Sequence, residues 1–157
     1  HTAYFRLVQQ PEIVAQIQGS NLAYHILAQL QIARNSPPAA RKLVIFSGHD
    51  TNIANVAALL KLSWKLPDLP NDDTPPAGAL VFELYSGASP DDDYVRIRYV
   101  HQTVPQLRSL ERRSAPQPPF WVDLTLSGCK EICGFQQFSG ILHKAIVPRF
   151  VTRTRAQ

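Results

Sequence analysis

The sequence predicts an α/β fold, and three observations carry that prediction. Helical and strand periodicities alternate along the chain. One run, Lys42 to Ser47 (KLVIFS), holds four consecutive apolar residues, the mark of a strand buried on both faces. That run passes through a tight turn, Gly48–His49, directly into a helical pattern. The 157 residues suffice for one domain with its own core, and 45% hydrophobic against 18% charged residues excludes wholesale disorder. No apolar run approaches the ~20 residues of a membrane helix, so no membrane partner is expected. The chain has no Met and opens at His1 without a charged or apolar leader, which reads as a processed chain or a piece of a longer one.

Each element has a local reason. Pro11 suits a first helical position, and Ile13, Val14 and Ile17 form an apolar stripe that Gly19, Ser20 and Asn21 interrupt. Ser20 or Asn21 then caps a second helix carrying Ala23, Tyr24, Leu27 and Leu30, so two consecutive helices are expected. His25 lies off that stripe, as an exposed helix residue would. After the breaker NSPPAAR comes the KLVIFS strand, and beyond it Asp50 is the expected N-cap of a helix with Ile53, Val56, Ala57 and Leu60 on one face. Residues 62–79, rich in Pro and Asp, read as a long ordered loop. ALVFELY (79–85) and YVRIRYV (94–100), joined by SGASPDDD, predict an antiparallel hairpin whose second strand alternates Val95, Ile97 and Tyr99 against Arg96 and Arg98. VPQLRSLE reads as a short helix, SAPQPP as a loop and FWVDLTLSG as a third strand. Phe135, Phe138, Leu142 and Ile146 mark a last helix before a polar, frayed tail. KLVIFS is expected to be the central strand, with the hairpin extending its sheet and helices on the faces.

Sixteen Lys and Arg against twelve Asp and Glu give a net charge of +4. The excess suits an anionic ligand or a simple solvated basic face. No helix carries a continuous Lys/Arg stripe interleaved with aromatics, so nucleic acid is not an expected partner. Cys129 and Cys133 are the only cysteines. Their C-x3-C spacing fits neither a C-x2-C redox site nor a zinc knuckle, which leaves a local disulfide or two free thiols.

The chemistry is expected at the turn after KLVIFS, where ligands bind in open α/β sheets and a helix start offers N–H groups to an anion. His49 and Asp50 there have three readings. Asp50 caps the helix while His49 packs; or the pair begins a metal site, against which the other four histidines show no HxH or HxxxH spacing; or the pair performs acid catalysis on an anion. In the third, the imidazole binds phosphoryl oxygens and the carboxylic acid protonates a leaving oxygen.

SGHDTNIAN (47–55) resembles the C-terminal HD signature of the histidine acid phosphatases. TPPAGALVFELY (74–85), VDLTLSGC (122–129) and HTAYFRLVQQPEIVA (1–15) are similar, in order, to segments around that signature in the bacterial phytase and acid phosphatase branch. The resemblance implies a partial histidine-phosphatase fold of the phosphoglycerate mutase type. It implies phosphomonoester hydrolysis through a phosphohistidine intermediate, without metal or cofactor, on an inositol phosphate or a general organic phosphate in the periplasm or outside the cell. It assigns phosphate binding to His49, proton donation to Asp50 and a substrate contact to Thr51. The family nucleophile lies in an RHGxRxP motif, and no RHG occurs in this sequence. Residues 1–157 therefore resemble the C-terminal portion of the catalytic domain, inactive alone and needing the N-terminal half as partner. The family has a longer loop between its paired cysteines and a further cysteine near its C-terminus; the Cys129–Cys133 disulfide is carried as the expectation here. A noncatalytic module, keeping the HD scaffold for anion binding or protein interaction, is the rival reading.

Overall fold

The computed structural model describes residues 2–36, 43–67, 69–108, 120–130 and 132–152. After a short helical entry over Thr2–Gln9, the first long element is α1, Glu12–Asn35. It is one helix where the sequence predicts two. Gly19 and Ser20, read as a break, are buried in its middle. Gly costs a helix interior about 1 kcal/mol relative to Ala, and here the missing side chain is what lets α1 approach α2, Asp50–Leu59. A Cβ at Gly19 would stand 2.9 Å from the Asn55 carbonyl oxygen. Ser20 Oγ in turn accepts a 3.0 Å hydrogen bond from the Val147 N–H. The buried face of α1 is thus Ala15, Gly19, Ser20, Ala23 and Leu27, while Ile13 and Ile17 of the expected stripe are exposed.

The sheet follows the hairpin reading. β1 (Ala79–Tyr85) pairs antiparallel with β2 (Tyr94–His101), in a register running from Ala79 opposite Val100 to Tyr85 opposite Tyr94. After the single-turn α3, Val104–Arg108, β3 (Phe120–Leu124) pairs along the other edge of β2; the two-residue β4 (Cys133–Gly134) joins β2 near its start. The SAPQPP loop and the tail beyond Thr152 lie outside the described residues. α4, Phe135–Ala145, then buries Phe135, Phe138 and Leu142.

Alternation along β2 sets the core. Val95, Ile97 and Tyr99 point inward and pack with Ala23 and Leu27 of α1, Val56, Ala57 and Leu60 of α2, and Phe138 and Leu142 of α4. The helices α1, α2 and α4 thus gather on this face. The other carries Arg98, whose Nε donates to Asp123 Oδ1 at 2.8 Å and whose Nη1 lies 3.4 Å from Glu83 Oε2. The long loop is ordered as expected. Asp72 Oδ1 accepts from Ser63 Oγ (2.7 Å) and the Trp64 N–H (2.8 Å), which turns Leu62, Trp64 and Leu66 into the core.

The expected central strand does not form. Leu43–Ser47 forms no strand, and Leu43 and Ile45 are 72% and 77% exposed. A strand buried on both faces needs ladder partners at its edges and packed elements over both faces of its sheet. Among the described residues none pairs with it. β1 is itself a sheet edge and lines the same cleft as this segment.

Candidate active site

The cleft, of about 2020 Å³, is bounded by one face of α1, by residues 43–49, by the start of α2, by the turn Asp73–Gly78 and by β1. His49 and Asp50 stand on its wall where the exposed segment enters α2. His49, with φ −117° and ψ 168°, is the residue that caps α2, and Asp50 is the first helical residue. The cap expected at Asp50 is thus displaced by one position, since His49 is extended and Asp50 already helical; the Asp50 Oδ1 accepts from the Thr51 N–H at 2.7 Å.

This arrangement also changes how an anion could bind. The N–H groups of Asn52 and Ile53 donate to the His49 carbonyl (3.0 and 3.4 Å) and that of Thr51 to Asp50. The first turn therefore offers an anion few backbone donors, and binding falls to side chains. The His49 N–H donates to Asn52 Oδ1 at 2.8 Å. His49 is exposed, whereas Asp50 and Thr51 are half-buried. A solvent-facing imidazole beside a half-sheltered carboxyl can offer an anion a hydrogen-bond donor and can exchange a proton with a neighbouring oxygen.

The chain is matched over residues 2–100 by the model of the histidine phosphatase superfamily, branch 2. This chain belongs to that family. Phytase AppA of Escherichia coli (strain K12) is 33% identical over 94% of this histidine phosphatase chain and 36% of its own length. Prostatic acid phosphatase of Rattus norvegicus is 28% identical over 88% of this chain and 30% of its own length. Among solved structures, Hafnia alvei phytase in complex with myo-inositol hexakis sulphate superposes with a TM-score of 0.78 at 31% identity, over 98% of this chain and 40% of that one. Citrobacter braakii phytase gives a TM-score of 0.75 at 30% identity, over 98% and 41%. The histidine phosphatase chain thus spans from 30% to 41% of the length of these relatives.

The structure brings His49, Asp50 and Thr51 together on one helical turn and places Cys129 and Cys133 apart from them. The two cysteines form a disulfide, with Cα atoms 5.1 Å apart, in the passage from β3 to β4. It closes a five-residue turn and does not border the cleft. Among the described residues no three His, Cys, Asp or Glu side chains converge as metal ligands. His25, set aside as an exposed helix residue, lines the same cleft as His49, as do Asp73 and Thr74. No local signal marks them, because the crossing of α1 over α2 and the folding of the loop place them there. Arg34, also on the cleft wall, is committed elsewhere: its Nε donates to Asp93 Oδ2 at 2.8 Å and its guanidinium lies 4.8 Å from the Phe135 ring centre. That contact holds the Asp93 carboxyl below its ordinary range.

Proposed function

We propose that this chain is the C-terminal portion of the catalytic domain of a phosphomonoester hydrolase acting through a phosphohistidine. His49 binds the phosphoryl group, Asp50 donates the proton to the departing alcohol and Thr51 contacts the substrate. The observation that carries the reading is the placement of His49 and Asp50 on the wall of a large cleft, in a chain of the histidine phosphatase family. The substrate is an inositol phosphate or a general organic phosphate. The bacterial relatives and the disulfide favour a periplasmic or secreted enzyme.

The same cleft supports the need for a partner. The apolar run Leu43–Phe46 and the open edge of β1 border it from two sides, each lacking a ladder neighbour among the described residues. An unpaired strand edge and an exposed apolar run are both unfavourable in water. Both would be relieved by a strand contributed by the portion of the relatives that this chain does not span. That portion would also bring the nucleophile and the arginines that the sequence lacks. A barrier lowered by positioning needs nucleophile, charge clamp and acid around one phosphorus, so the 157-residue chain alone is inactive.

The test is p-nitrophenyl phosphate hydrolysis by the chain alone and by the chain completed with its N-terminal half. No turnover is expected from the first. In the second, Asp50→Asn lowers turnover by about 10²–10⁴ for alkyl phosphates and far less for activated aryl phosphates, which need no proton. Turnover of p-nitrophenyl phosphate by the purified chain alone refutes the missing half, and equal loss for both ester types refutes the acid role.

A further inference from the structure

We propose that Asn52 is a positioning residue for His49, working with Gly48 to fix how the imidazole enters the cleft; this rests on the phosphate-binding role given to His49 above. His49 is exposed, so packing does little to orient its ring, and the backbone must do so. Asn52 grips the His49 peptide from both ends. Its side-chain Oδ1 accepts from the His49 N–H at 2.8 Å, and its own N–H donates to the His49 carbonyl at 3.0 Å. The rotations on either side of the His49 Cα, φ −117° and ψ 168°, are thereby set by one neighbour.

Gly48 makes that grip possible. A Cβ there would lie 2.7 Å from Asn52 Oδ1 and 3.3 Å from Asn52 Cγ, so the Asn52 amide lies directly against the Gly48 backbone. A larger residue at 48 must push the amide away and release the His49 N–H. In an ordinary helix start, the residue three positions into the helix reaches back in this way with a Glu or Gln side chain. Asn52 uses a shorter arm, which brings the turn closer, and the glycine accommodates it. A capping role alone would affect only the stability of α2. The geometry goes further because the residue being held is the one on the cleft wall.

The experiment follows the His49 Cε1–H resonance of the chain completed with its N-terminal half during titration with inorganic phosphate. Phosphate is expected to shift it in the parent. Loss of a hydrogen bond of this kind is expected to weaken apparent phosphate affinity about tenfold in Asn52→Ala. Asn52→Gln, which keeps the reaching acceptor, restores the affinity. Gly48→Ala reproduces the loss when Asn52 is present and adds nothing to it in the Asn52→Ala background. Ile141→Ala, a destabilising change in α4 remote from the cleft, leaves the phosphate response unchanged. Parent-like affinity in Asn52→Ala, or equal weakening in Ile141→Ala, overturns the positioning role. The orientation is also read without ligand, from nuclear Overhauser contacts of the His49 ring that Asn52→Ala must alter; unaltered contacts overturn the inference. Altered contacts without any phosphate response in the parent refute the binding role of His49 instead.

Discussion

Gly19 and Gly140 offer one chemical change in two helices with opposite expected signs. Replacing a helix-interior Gly by Ala gains about 1 kcal/mol from propensity alone. Gly140 lies exposed in α4, and a Cβ there meets nothing within 4 Å, so Gly140→Ala should keep the whole gain. At Gly19 the new Cβ would stand 2.9 Å from the Asn55 carbonyl oxygen, 3.2 Å from its carbon and 3.5 Å from Leu59 Cδ2. Two of those atoms are backbone of α2 and cannot swing aside, so relief requires the helices to separate. Overpacking of this kind costs about 1–3 kcal/mol, which exceeds the propensity gain. The net expectation for Gly19→Ala is a loss of about 1 kcal/mol, which for a chain of this size lowers the melting temperature by roughly 2–4 °C. Urea unfolding followed by far-UV circular dichroism measures both variants. If Gly19→Ala stabilises as much as Gly140→Ala, the close approach of α1 to α2 is refuted, and with it the reason one helix runs through the expected break.

Further expectations concern the cleft walls and their supports. Because Arg34 holds Asp93 as a carboxylate with a lowered pKa, the stabilisation is present above the unfolded value near pH 4 and is lost as pH falls through the lower folded value. Acid titration of thermal stability should therefore be flatter in Asp93→Asn than in the parent, and a parallel curve would count against the pair. Ser20→Ala leaves the Val147 N–H without its acceptor and should cost about 1–3 kcal/mol in the same urea assay; a cost near zero would mean the hydrogen bond is dispensable. Ile45→Lys should leave the stability of the isolated chain within about 0.5 kcal/mol, as expected at an exposed site. In light scattering it should reduce self-association, and equally strong association would show that the exposed segment is not the adhesive surface. Trp64→Phe keeps a ring against Tyr99 but removes the 2.8 Å bond from Nε1 to the Asp73 carbonyl. Amide exchange in residues 73–78 should rise, and unchanged protection would exclude Trp64 as the brace of that turn.

The residues legible without a structure were those whose neighbours in space are also neighbours in sequence. Strand alternation announced β2, because period-two burial depends only on which side of one sheet each residue faces. The helical stripe of Val56, Ala57 and Leu60 and the turn bearing His49, Asp50 and Thr51 were equally local, and SGHDTNIAN carried the family as well. What the tertiary structure decided were the contacts between distant segments. Gly19 reads as a helix breaker until α2 is seen against it, since the same missing Cβ that weakens a lone helix lets two helices meet. Asp50 reads as the cap until the backbone is seen to be extended at His49 and already helical at Asp50, which makes His49 the cap. KLVIFS has the composition of a central strand, but a strand is made by its neighbours, and among the described residues no strand pairs with Leu43–Ser47. Composition records what a segment can bury, while the presence of something to bury it against is a property of the assembled fold.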